Sequence, residues 1–436
     1  MLIAIDNLQQ AEMKAPYEKL CGTITASELL RRVQSGETSV SDYLAECRAA
    51  IQQYESDIRA FADVDHDVRA ADSGPGLLQG VPIGVKDVIE TEGLTTEFNS
   101  PLYQGHRAAR DAACVAVLKA EGAFVLGKTA TVEFASLGRL PPTRNPYNLA
   151  HTPGGTSSGS AAAVATGMVP IAMATQTGGS TIRPASFCGV AALKPTWGLV
   201  PVEGLKPYAA SLDTITWMAR SVEDLERVLR CFQPTEPEPA LPDALRIGFY
   251  RSAYWESAEI ATRDALRVTI EILESQGAIV ETVDGPDNDG NLNAAQNTIM
   301  HAEGRAAYLA EYLRWPGGLH ANLRDEVENR LQLSTAQLVG AYDYLARMRP
   351  EMERHMSGFD AWLTPAVPGE APHGLESTGD AVFNRLWTGL HMPCVTLPGF
   401  QGPENLPVGI QLVAPRFRDR HLLAVAGVVE ALIRAA

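Results

Sequence analysis

The sequence predicts an α/β fold: a central mixed or mostly parallel β-sheet flanked by helices on both faces. Two observations carry this. From about Gly80, short apolar runs alternate with helical patterns, and that alternation builds sheets covered on both sides. It resumes after a loop rich in Pro and Glu at 233–242, so both halves of the chain contribute strands and helices. The size fits as well. A chain of 436 residues, 45% hydrophobic and 20% charged, can bury a large core without disulfides or structural metals.

The elements follow in order. Thr25-Ala26-Ser27-Glu28 has the form of a capping box, opening onto Leu29, Leu30 and Val33 at helical spacing. A second helix is predicted from about 39 to 54, with Tyr43, Leu44, Cys47 and Ile51 on one face. Together they form an N-terminal helical flank over 1–60. A core follows over 61–232, with strands at 81–85 and 123–126 and a helix at 108–120. Its stretch 154–201 is rich in Gly, Ser, Thr and Ala. The second half, 243–436, carries strands at 245–250, 279–283, 361–364 and 394–397 and a helix at 258–275. Residues 286–358 read as helical and unframed by strands, which makes them the expected cap over a site.

Composition narrows the partners. A formal charge of −16, with no Lys/Arg-dense run, excludes a nucleic acid gripped through its phosphates. The six cysteines (Cys21, Cys47, Cys114, Cys188, Cys231, Cys394) show no CxxC spacing, which fits buried thiols in a reducing compartment. The first fifteen residues have no basic n-region and meet Asp6 early, so no signal peptide is expected. The longest apolar stretch, 161–175, contains a proline and is too short to span a bilayer. A cytoplasmic protein with neither membrane nor nucleic-acid partner is the expectation.

Three segments carry chemistry. The first, Gly80 to Asp87, ends an apolar strand on Lys86. A lysine drawn into a core loses hydration, its pKa falls, and the neutral amine becomes a usable base. Taken alone, such a lysine reads first as a snorkelling side chain paired with Asp87. The second segment, Thr152 to Ala163, crowds glycines and hydroxyls before a small-residue helix. A flexible linker would not run straight into such a helix, and a P-loop would end in Gly-Lys-Ser/Thr. The third, Thr175 to Ser186, places Gly178-Gly179 before Ser180. That turn can aim backbone N–H groups at one point, as an oxyanion hole requires, and can present a nucleophile. A purely structural turn has the same sequence form.

Taken together, lysine, Gly/hydroxyl loop and Gly-Gly-Ser closely resemble the amidase-signature family of Ser–cis-Ser–Lys hydrolases. The resemblance extends through Leu126-Gly127-Lys128-Thr129, Glu133-Phe134-Ala135, Asn145-Pro146-Tyr147-Asn148, Phe187-Cys188-Gly189-Val190, Lys194-Pro195-Thr196-Trp197-Gly198 and Val200-Pro201. It returns at Met392 to Gly399 and Pro407 to Val413, and is weak only from about 230 to 355. It implies Ser180 as nucleophile, Lys86 as base, and the N–H groups of Thr177, Gly178, Gly179 and Ser180 as the oxyanion hole. It implies no metal and no cofactor, a small-molecule amide as substrate, and a homodimer as a family-level expectation. The relay residue should lie 24 positions before the nucleophile, which falls on Thr156 where the family usually has serine. Threonine keeps the hydroxyl but restricts χ1, and Ser157 is the fallback if the loop is offset by one.

For substrate contact the candidates are Gly155, Arg183 and His391. In the related malonamidases an arginine in the place of Arg183 meets a substrate carboxylate; the other reading is that Arg183 fixes the loop. His151 and His391 read first as packing residues. Tyr308, Tyr312, Trp315, Tyr342 and Tyr344 could shape an aryl pocket, although at helical spacing such residues more often build core. Ureas, carbamates and aryl amides stay open as substrates. Two rivals stand beside the small-molecule amidase. One is the glutaminase (A) subunit of a tRNA-dependent amidotransferase, which usually carries aspartate where this chain has Gln176. The other is a non-catalytic ligand-binding member of the fold.

Overall fold

The computed structural model describes residues 24–69, 74–237, 239–287 and 290–436. Its frame is one sheet of eleven strands: β1 (Phe61–Val64), β2 (Pro82–Lys86), β3 (Phe124–Thr129), β4 (Ile171–Gln176), β5 (Ala191–Lys194), β6 (Thr214–Ala219), β7 (Arg246–Tyr250), β8 (Ile279–Val283), β9 (Ala361–Pro365), β10 (Cys394–Gln401) and β11 (Pro407–Val413). Their spatial order is β1-β3-β2-β4-β6-β5-β10-β11-β9-β7-β8. The sheet is mixed: β2 pairs parallel with β3 and β4, and β7 with β8 and β9, while the remaining pairs are antiparallel. Every residue of β2, β3, β4, β5, β6, β9 and β11 is buried. Both faces of these strands are covered. The edge strands β1 and β8 are partly exposed.

Local chemistry adjusts several predicted boundaries. The first helix, Ala26–Ser35, forms only half of its expected capping box: Thr25 Oγ1 accepts the Glu28 N–H, but the Glu28 carboxylate turns to Arg32. The remaining first-turn donors are met from far along the chain, with Asp224 accepting the N–H groups of Ala26 and Ser27 at 3.0 and 2.8 Å. The second helix, Val40–Ile58, has a full box between Ser39 and Asp42 and runs past its predicted end, stopping where Arg59 turns left-handed. The helix predicted from 108 begins only at Ala113, because Ala112 N–H donates to Glu90 O and Asp111 accepts from Glu92 N–H. The stretch 286–358 resolves into four helices, Asn291–Ala307, Leu309–Arg314, Ala321–Val327 and Thr335–His355.

Cys47, Cys114, Cys188, Cys231 and Cys394 are buried free thiols. Cys21 and the stretch weighed for a leader lie outside the described residues. Among the described residues no helix is long and apolar enough to cross a membrane.

For function, the decisive feature is where β2 and β4 end. They are parallel neighbours with Val85 beside Met173, so Lys86 and the segment after Thr175 emerge side by side at the carboxyl ends of the strands. Open α/β sheets bind ligands at that edge.

Candidate active site

Lys86 closes β2 with its side chain fully buried. Its Nζ sits among three hydroxyls: Thr156 Oγ1 at 2.8 Å, Ser157 Oγ at 2.9 Å and Thr175 Oγ1 at 2.7 Å. Burial holds the amine well below the ordinary lysine pKa, with the Asp213 carboxylate opposing. Asp87 is not its partner. Adjacent strand residues point to opposite faces, and Asp87 lies 3.6 Å from Lys128 Nζ, which also donates to Ile89 O and Thr96 Oγ1. Burial raises the Asp87 carboxyl to about 6 and lowers Lys128 to about 8, each partly offset by the other's charge.

The Gly/hydroxyl loop delivers the second group. The Gly155–Thr156 peptide bond is cis. The Ser157 hydroxyl donates to Thr175 O at 3.2 Å, whereas Thr156 Oγ1 has Lys86 as its one side-chain partner among the described residues. Ser157 N–H donates to Ser180 O at 3.2 Å and so fastens this loop to the next.

Ser180 stands on the turn between β4 and the helix Ile182–Phe187. The N–H groups of Thr177, Gly178, Gly179 and Ser180 find no protein acceptor among the described residues. The next three are all bonded: Gln176 Oε1 accepts from Thr181 and Ile182, and Gly179 O accepts from Arg183. Four free donors flanking a serine are what an oxyanion site offers.

Three other candidates are bound up in the scaffold. Arg183 is buried, and its Nη2 donates to Gly155 O at 2.6 Å and Thr378 Oγ1 at 3.0 Å, so it steadies the residue before Thr156. Burial, with Arg385 nearby, lowers it to about 10. Gly155 packs closely under Thr378, whose Cγ2 lies 2.6 Å from where a Cβ would stand. His391, with φ 63°, is stacked on Trp197 at 4.5 Å, and its Nε2 lies 2.8 Å from Ser211 O, to which it donates as N–H, and 3.1 Å from Arg349 Nη2. Burial and the Arg349 charge hold it down to about 3, which makes it a neutral packing residue. His151 is likewise taken up, its Nδ1 2.8 Å from Ala371 O.

A cavity of ≈ 470 Å³ is lined by Val132, Arg139, Leu140, His320, Glu376 and Thr378 among others, and none of Lys86, Thr156 and Ser180 is in its lining. None of the tyrosines weighed for an aryl pocket lines it. Tyr308 is buried between Phe134 and Tyr208, and Tyr342 is bonded to Glu303. The Arg139 guanidinium is met by Glu133 at 2.6 and 2.7 Å and by Gly318 O.

The arrangement matches known proteins over most of the chain. A family model described as Amidase matches residues 38–423. The chain belongs to the amidase-signature family. It is 35% identical to the A subunit of the glutamyl-tRNA(Gln) amidotransferase of Roseiflexus castenholzii, over 92% of this chain and 93% of that one. Among solved structures it resembles one described as an amidase, with a TM-score of 0.85 and 26% identity over 94% of this chain and 99% of that one. It also resembles the peptide amidase of Stenotrophomonas maltophilia, with a TM-score of 0.79 and 25% identity over 96% and 98%.

Within this amidase-family fold, sequence reasoning passed over Thr175, Asp213, Gln296 and Thr388. Thr175 lies inside the Gly-Gly-Ser segment, and the strand–turn pattern gives its hydroxyl no visible task. Asp213 becomes relevant only through register. Gln176 pairs with Thr214 across β4 and β6, which sets Asp213 against Thr177, whose hydroxyl it accepts at 2.6 Å. Burial raises that carboxyl to about 6.

Replacing Arg183 with alanine is expected to lower kcat by about tenfold for neutral and acidic amides alike, since a buried bond to the Gly155 carbonyl is lost. A selective rise in KM for acidic amides would instead assign the guanidinium to a substrate carboxylate.

Proposed function

We propose that this enzyme hydrolyses the carbon–nitrogen bond of a small carboxamide through an acyl-enzyme on Ser180. The observation that carries the reading is the buried amine of Lys86 bonded to the Thr156 hydroxyl, on a loop fastened to the Ser180 turn, where four N–H groups find no acceptor among the described residues. A neutral lysine has two N–H donors and one lone pair. Ser157 has its own proton on Thr175 O and can only accept from the amine. The lone pair is left to one of the other two hydroxyls, and the scheme gives it to Thr156, with Thr175 accepting the second N–H.

In this scheme Ser180 Oγ attacks the carbonyl carbon and passes its proton to Thr156, which passes its own to Lys86. The N–H groups of Thr177 to Ser180 stabilise the tetrahedral oxyanion. The chain of proton transfers then reverses to protonate the departing nitrogen, and water cleaves the ester by the same route.

A second reading, the glutaminase subunit of a tRNA-dependent amidotransferase, is supported by the names of the curated relatives. Both readings share the acyl-enzyme and differ in whether the chain works alone. Gln176 speaks for the independent enzyme, since its uncharged side chain is built into the turn, bonded to Thr181, Ile182 and Thr388. The test is ammonia or amine release by the purified chain from small amides, ureas, carbamates, aryl amides and glutamine. Turnover of a small amide without partners supports the first reading. Turnover of glutamine alone, rising on addition of partner subunits and charged tRNA, replaces it with the second.

A further inference from the structure

In a trans peptide the C=O and the following N–H lie in one plane and point in opposite directions. Whatever fixes a carbonyl therefore aims the next N–H. All four carbonyls of the Thr177–Ser180 turn are held. Thr177 O accepts from Gln296 Nε2 at 2.8 Å and Gly178 O from Thr388 Oγ1 at 2.7 Å. Gly179 O accepts from Arg183 N–H at 3.1 Å and Ser180 O from Ser157 N–H at 3.2 Å.

The last two bonds come with the backbone of the adjoining helix and loop. The first two are side-chain bonds reaching in from distant segments, and they act on the glycine peptides, which have no Cβ of their own to restrict them. Gln296 belongs to the helix Asn291–Ala307 of the cap and Thr388 to the short helix Arg385–Gly389. Both side chains are buried. The Thr388 hydroxyl accepts from Gln176 Nε2 at 3.1 Å, and of its two acceptors Gly178 O at 2.7 Å lies closer than Asn384 O at 3.3 Å.

We propose that Gln296 and Thr388 are positioning residues that aim the Gly178 and Gly179 N–H groups at the developing oxyanion, which makes the cap helix part of the catalytic apparatus. This rests on the acyl-enzyme reading above. It gives the helix Asn291–Ala307 a chemical task through Gln296.

The test compares Thr388→Val, Thr388→Ser and Gln296→Met with wild type, using the amide that wild type turns over. Thr388→Val and Gln296→Met each remove the donor and are expected to lower kcat by about 10- to 100-fold, somewhat less than the loss of a direct oxyanion donor. KM should change by less than about threefold, since a ground-state carbonyl draws little on these donors. Affinity for a boronic acid that forms a tetrahedral adduct on Ser180 should fall by the same factor as kcat/KM. Thr388→Ser, which keeps the hydroxyl, should restore both. Undiminished kcat in either donor-less variant overturns the proposal. So does a loss of kcat with unchanged boronate affinity, or a Thr388→Ser enzyme as poor as Thr388→Val. Should Thr388→Val fail to fold, Gln296→Met carries the comparison. A wild-type enzyme inert on every amide and unmodified by the boronate would overturn the acyl-enzyme reading itself, a result distinct from active wild type with undiminished variants.

Discussion

Ser180→Ala is expected to abolish hydrolysis, lowering kcat on the order of 10⁴-fold or more, as removal of a nucleophile does in other serine hydrolases. The fold should not notice. Ser180 Oγ has no protein hydrogen-bond partner among the described residues, so its removal strands no buried group, and the Ser180 carbonyl still receives the Ser157 N–H. The thermal midpoint should stay within the scatter typical of a neutral substitution, about 0.5 kcal/mol in stability. Intact mass after mixing with a slowly released carbamate separates chemistry from binding: wild type gains the acyl mass and Ser180→Ala does not. A carbamoylated Ser180→Ala protein would move the nucleophile elsewhere, with Ser157 and Ser158 the first places to look.

How much of this was legible beforehand depended on whether a residue's role is local. Lys86, Thr156 and Ser180 were singled out because each sits in a short segment and the order of the three segments matched a family pattern. Asp87 was ambiguous in sequence, since an adjacent carboxylate looks like a partner until strand alternation sends it to the other face, against Lys128. Strands β4, β5, β6 and β11 went unread although buried, because small and polar residues interrupt them, while β2, β3, β7, β8, β9 and β10 were visible as apolar runs. β1 was not: it is four residues long and partly exposed. The half-formed cap at Thr25 failed for a related reason, because Asp224 completes it from 198 residues away. His391 drew attention as a histidine beside a family motif, and only its stacking on Trp197 and its bond to Ser211 O show that its nitrogen is occupied. Gln296 and Thr388 were the least accessible, because each matters through one hydrogen bond to a carbonyl more than a hundred positions distant. A role made by tertiary contact leaves no local mark in the chain.

Lys86→Met is the other large loss expected, again on the order of 10⁴-fold in kcat, and its pH behaviour identifies the lysine as a base. Burial favours the neutral amine, and a base acts only after losing its proton. kcat/KM of wild type should therefore rise with pH through the lowered Lys86 pKa and level off above it; a profile falling over that range would contradict the assignment. The same shift acts on stability. The unfolded chain keeps the lysine proton up to its ordinary pKa of about 10.4, so between the folded and unfolded values the unfolded state binds more protons. Stability contributed by this group thus falls as pH drops through that window and is flat below the folded pKa. A buried amine is a burden at neutral pH, and Lys86→Met should hold or raise the thermal midpoint while losing activity. Lys86→Arg completes the argument, because a guanidinium cannot be deprotonated in a protein. That variant should stay inactive at every pH. Activity in Lys86→Arg at neutral pH would mean that the site needs a positive charge rather than a proton acceptor, and the relay through Thr156 would have to be abandoned.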